Sequence, residues 1–131
     1  MKKILVAIVL FFGILTLNAQ TTQAPVDITK VLKFTNDNYD MGKITTGKAT
    51  EFNVSIENIS SAPITIENVM VGCGCTTPKY NKGQVIAPGE KAVVTLGFNG
   101  SAVGAFSKAA TLFFSGNLNK QVSFHGEGVQ P

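Results

Sequence analysis

The chain has 131 residues, of which 44% are hydrophobic and 15% charged, with no arginine, no tryptophan, one histidine and two cysteines. Its formal net charge is +3, but Lys2 and Lys3 stand at the very start, and without them nine lysines face eight acids. That balance leaves no electrostatic footprint for nucleic acid, and the missing residue types remove the bidentate grip on phosphates and the commonest aromatic platform for sugars.

The first nineteen residues predict a cleavable secretory signal, residues 1–19, that forms a helix before removal. Met1-Lys2-Lys3 is a positive n-region, Ile4 to Leu17 a fourteen-residue apolar run, and Leu17-Asn18-Ala19 a short exit ending in a small residue. A spanning helix needs about 20 apolar residues, so a retained anchor is not expected. No cysteine lies near the exit to carry a lipid. The mature protein is expected to begin at Gln20, to have no stable membrane anchor, and to be periplasmic or secreted. The 112 residues that remain suffice for one domain and one core.

Residues 20–30 are polar and contain Pro25, and read as a flexible leader. The domain is expected over residues 31–129. Within it apolar residues recur with period two, which sends alternate side chains to opposite faces of a strand. Phe52, Val54 and Ile56 point one way; Ile64 and Ile66 alternate with Thr65 and Glu67. Val94, Leu96 and Phe98 form a third set, Val122 and Phe124 a fourth, with His125 on the polar side. The run Ala109 to Phe114 does not alternate cleanly, which suggests a strand covered on both faces. Turn residues separate these runs at Asp40-Met41-Gly42, Thr46-Gly47, Ser60 to Pro63, Pro88-Gly89, Asn99-Gly100 and Ser115-Gly116-Asn117. No segment of the domain has ten residues of helical period. The expectation is an all-β, immunoglobulin-like β-sandwich of about seven strands. An inter-sheet bridge of antibody type is ruled out, because Cys73 and Cys75 are one residue apart.

Several pieces line up as a set: Phe34, Tyr39-Asp40-Met41-Gly42-Lys43-Ile44, Phe52 to Asn58, Cys73-Gly74-Cys75-Thr76, Ile86-Ala87-Pro88-Gly89-Glu90, Gly104-Ala105-Phe106 and His125-Gly126-Glu127-Gly128. In order and spacing the chain resembles the bacterial domain-of-unknown-function family fifteen-seventy-three, small exported proteins, from about Val31 to Val129. The Cys-Gly-Cys-Thr piece followed by Pro-Gly-Glu is its most specific part, and Met41 stands where an aromatic is more usual. The resemblance implies an immunoglobulin-like sandwich related to Hydin-like and major-sperm-protein-like interaction domains. It implies no established biochemical activity.

The unusual chemistry sits at Cys73 and Cys75. In an extended strand their Cα atoms lie about 6.6 Å apart, at the upper edge of what a disulfide tolerates, and a kink at Gly74 shortens that distance. Three readings stay open: a disulfide or redox-labile pair, two buried structural thiols, or a soft-metal site for Cu(I) or Zn(II). The metal reading needs further ligands, for which His125, Met70 and Met41 are available. Asn36 to Asp40 gathers oxygen ligands that suit calcium, but lacks the glycine and closing glutamate of a calcium loop, and turn formation accounts for it.

Catalysis is not expected. The helix N-terminus and two-residue spacing of familiar dithiol enzymes are missing, and no nucleophile elbow accompanies His125. No cofactor is called for. The sequence therefore reads as an exported, non-catalytic binding module of the bacterial envelope, with an envelope or periplasmic protein as partner. The alternatives are a periplasmic thiol-redox or copper-handling protein using the Cys-Gly-Cys pair, and a structural element of an envelope assembly.

Overall fold

The computed structural model describes Gly13 and residues 26–131. Apart from Gly13, the expected signal 1–19 lies outside the described residues, as do residues 20–25 of the expected leader. The first described element is a three-residue 3-10 turn, Ile28–Lys30, capped by Asp27. Asp27 Oδ1 accepts from the Thr29 hydroxyl at 2.7 Å and from the Thr29 N–H at 3.0 Å. Bonds to the ionised form hold this carboxyl below its ordinary range. Ile28, within residues 20–30, packs against the core.

Nine strands follow: β1 (Leu32–Thr35), β2 (Asn38–Thr45), β3 (Thr50–Asn58), β4 (Ile64–Val71), β5 (Thr76–Lys79), β6 (Val85–Ile86), β7 (Lys91–Phe98), β8 (Gly104–Phe114) and β9 (Leu118–Val129). They form an immunoglobulin-like sandwich of a four-stranded sheet, β1-β3-β7-β5, and a five-stranded sheet, β2-β9-β8-β4-β6. Among the described strands, β2 and β9 alone pair in parallel. The sequence expectation of about seven strands falls short by the short edge elements. β5 carries Pro78, which has no N–H to give a ladder and is tolerated because β5 lies at a sheet edge. β6 is two residues long and leaves no periodic signal.

The period-two residues meet between the sheets. Val54, Ile56, Ile66, Val94, Leu96, Val122 and Phe124 are fully buried. A relay of rings ties the layers together: Tyr39 stacks on Phe52 at 4.6 Å, and Phe52 meets Phe124 at 5.3 Å. Phe124 meets Phe98 at 5.8 Å, and Phe98 meets Phe106 at 4.8 Å. The reading of Ala109 to Phe114 as covered on both faces needs correction. Ala110, Leu112 and Phe114 are buried, whereas Ala109, Thr111 and Phe113 are half-buried. β8 runs between β9 and β4, and among the described residues no further layer lies over that face.

Candidate functional site

The Cys-Gly-Cys motif sits where the chain changes sheets. The β4–β8 ladder ends at the pair Val71 and Ala110. Residues 72–75 make a turn, and at Thr76 the chain enters the other sheet as β5, opposite Phe98 of β7. Backbone bonds hold the corner: the Asn99 N–H donates to the Cys75 carbonyl at 2.9 Å and the Thr76 N–H to the Cys73 carbonyl at 3.4 Å. Cys73 and Cys75 are bonded as a disulfide with Cα atoms 5.3 Å apart, and no free cysteine occurs among the described residues.

The turn, and not a glycine-specific kink, brings the cysteines closer than an extended strand would. Neither Gly72 nor Gly74 adopts the left-handed conformation, and a Cβ at either would meet nothing within 4 Å. The kink expected at Gly74 therefore does not depend on glycine. The two glycines leave the approach to the disulfide bare.

The two sulfurs have different surroundings. Cys75 is half-buried and packs against the core, with Thr76 Oγ1 3.8 Å from its sulfur. A disulfide sulfur has no hydrogen, so the buried Thr76 hydroxyl is the donor in that contact. Cys73 instead lines a hollow of about 240 Å³ together with Gly72, Thr76, Ser107, Lys108 and Ala109. Lys108 shares the inward parity of Phe106 and Ala110 on β8. Carrying the β4–β8 register two residues past Val71 and Ala110 sets Cys73 level with Lys108. Sequence reasoning missed Lys108, although the alternation through Ala110, Leu112 and Phe114, counted back, points to it.

The other candidate ligands lie elsewhere. His125 is in β9 opposite Asp40 of β2, with its Nε2 3.8 Å from Asp40 Oδ1. Both line a separate hollow of about 350 Å³ with Gly42, Lys43 and Glu127. Met70 is exposed on β4, and Met41 packs against the core. Among the described residues no three His, Cys, Asp or Glu side chains gather as a metal site. The Asn36 to Asp40 segment uses its polar groups internally. Asn36 Nδ2 donates to the Asn53 carbonyl at 3.0 Å, Asp37 pairs with Lys120 at 3.1 Å, and Asp40 accepts from the Gly42 N–H at 2.8 Å.

A family described as "Protein of unknown function (DUF1573)" matches residues 32–128. Among curated proteins none matches the sequence. Solved structures share the fold. The PapD-like domain 7 of human CEP192 is 9% identical with a TM-score of 0.64, over 91% of this chain and 97% of that one. WR4, a major-sperm-protein family member from C. elegans, is 3% identical with a TM-score of 0.54, over 76% and 99%. A chain of the CsuC-CsuE chaperone-tip adhesion subunit pre-assembly complex of Acinetobacter baumannii is 13% identical with a TM-score of 0.53, over 75% of this chain and 57% of that one. At these identities the likeness is one of fold.

Proposed function

The chain belongs to the DUF1573 family, and from that premise we propose that it is an exported, non-catalytic binding module of the bacterial envelope that takes up an extended segment of another envelope protein along the β2 edge. The observation that carries this reading is the inequality of the four sheet edges. β5 is blunted by Pro78, β6 has two residues and β1 four, whereas β2, Asn38–Thr45, is the longest edge strand: a bulge between Asp40 and Lys43 divides its pairing with β9 into Asn38–Asp40 and Lys43–Thr45, and among the described strands β9 alone pairs with it. The pieces on either side of the bulge can each take main-chain hydrogen bonds from a short added strand, and at the bulge the Gly42 N–H is already held by Asp40. Tyr39 and Met41 are half-buried on the core side of this edge, where alternate side chains of an added strand would complete their cover.

The PapD-like and chaperone-type fold neighbours support a protein partner by analogy of fold only. Export rests on the sequence of residues 1–19, and intact mass of the protein from a periplasmic fraction tests it, with a start at or near Gln20 expected. Binding is tested by placing a photo-crosslinking residue at exposed positions of β2, Asn38 or Lys43, and at Lys91 on the four-stranded sheet. The β2 positions should capture one and the same polypeptide from an envelope extract, and Lys91 should not. Capture only from Lys91 would move the interface, and no capture combined with turnover of a defined substrate would end the binding-module reading.

A further inference from the structure

We propose that the Cys73–Cys75 disulfide is a thiol-exchange site, in which Cys73 is the sulfur attacked and Lys108 and Thr76 hold the two thiolates that reduction releases. The bond is dispensable to the corner around it. It closes a loop with a single intervening residue, and constraining so short a loop removes little entropy from the unfolded chain. The Asn99–Cys75 and Thr76–Cys73 backbone bonds and the β5–β7 ladder hold the turn without it. The surroundings, in contrast, suit exchange. Cys73 opens on the hollow, the exposed Gly72 and Gly74 put no side chain in front of it, and among the described residues lining that hollow Lys108 is the one cation. A neighbouring ammonium draws in an attacking thiolate and stabilises the one that departs.

An external thiolate attacks Cys73 Sγ; a mixed disulfide forms, the Cys73–Cys75 bond breaks, and its electron pair leaves on Cys75 Sγ, where the Thr76 hydroxyl already donates. A second external thiolate attacks the external sulfur of the mixed disulfide, and Cys73 departs as a thiolate beside Lys108. Two external thiols become one disulfide, the protein disulfide becomes a dithiol, and the two thiol protons end in solvent or on the cysteines. In the opposite direction the dithiol reduces an external disulfide.

The full chain and reduced glutathione test this, with free thiols counted by alkylation and mass. The folded wild type should be reduced at neutral pH without denaturant. Lys108→Met should slow that reduction about five-fold at low ionic strength, the size of one nearby charge, and Lys108→Arg should restore it. In Cys75→Ser, where Cys73 is a lone thiol, the pH–rate profile of Cys73 alkylation should move to higher pH when Lys108→Met is added. If Lys108→Met does not fold, 1 M salt on the wild type should give a similar slowing. A disulfide that resists glutathione until the chain is denatured, or rates indifferent to both Lys108 and salt, would overturn the assignment.

Discussion

Asn58 donates from Nδ2 to the Ile86 carbonyl at 2.8 Å, which pins the short strand β6 to the end of β3. The same amide donates to the Ala62 carbonyl at 2.8 Å, and its Oδ1 accepts from the Ser60 N–H and hydroxyl. Asn58 is fully buried, as is Ile86, whereas the Ala62 carbonyl also accepts from the Ser60 hydroxyl at 3.0 Å. Asn58→Ala takes the amide donor from the Ile86 carbonyl and the acceptor from the Ser60 N–H, leaves a cavity in a buried position, and is expected to cost about 2–4 kcal/mol. For a domain of this size that lowers Tm by more than about 10 °C. Asn58→Asp should not rescue it, because a carboxylate would face the two carbonyls. A variant that melts within a few degrees of wild type would show that water replaces the amide.

This clamp marks the limit of what the sequence discloses. Alternation made β3, β7 and the end of β9 readable, because a half-buried strand writes its two faces into every second residue, as in Phe52, Val54 and Ile56. Asn58 continues that same parity, yet a polar side chain at a buried position becomes intelligible only when its partners, more than twenty residues away for Ile86, are seen. Lys108 is a milder case: its inward parity can be counted from Ala110, Leu112 and Phe114, but its shared hollow with Cys73 is seen only in the structure. β5 was hidden by Pro78, which argues against a central strand and says little about an edge.

Glycines separate into two kinds, and substitution should distinguish them. Gly128 is buried in β9, and a Cβ there would overlap the Ala102 carbonyl. At Gly126 a Cβ would stand 2.6 Å from the Gly42 carbonyl oxygen and 2.9 Å from Phe106 Cζ. Gly128→Ala should therefore cost about 2 kcal/mol or more through backbone displacement. Gly74→Ala meets nothing and requires no left-handed φ, so its urea midpoint should match wild type. Equal midpoints for both variants would contradict the packing around Gly128.

The cap at Asp27 gives a local pH signature. Its hydrogen bonds with Thr29 favour the ionised carboxylate, so the folded value lies below the unfolded one. The bonds are then present above the ordinary carboxylate range and lost as pH falls through the lowered folded value. The Thr29 amide resonance should titrate with a midpoint below that of a free aspartate, and Asp27→Asn should abolish the step. Because Asp27 is fully exposed, the global melting temperature should not follow this titration.

Loss of the disulfide should leave the sandwich standing. The chain-entropy relation for so short a loop gives under about 2 kcal/mol, less than a bridge across a long loop contributes. The corner also keeps its backbone bonds from Asn99 and Thr76, and Cys75 keeps its seat against the core. Thermal unfolding of the protein in a strong dithiol reductant, compared with the oxidised form, should show one cooperative transition lowered by a few degrees, with β-sheet circular dichroism unchanged below it. The double variant Cys73→Ser with Cys75→Ser should melt with the reduced form or slightly below it, since a serine at 75 brings a hydroxyl to a half-buried apolar seat. If reduction instead unfolded the domain at room temperature, the disulfide would be the principal restraint on the crossing between the sheets, and backbone bonding would be insufficient to hold β5 against β7.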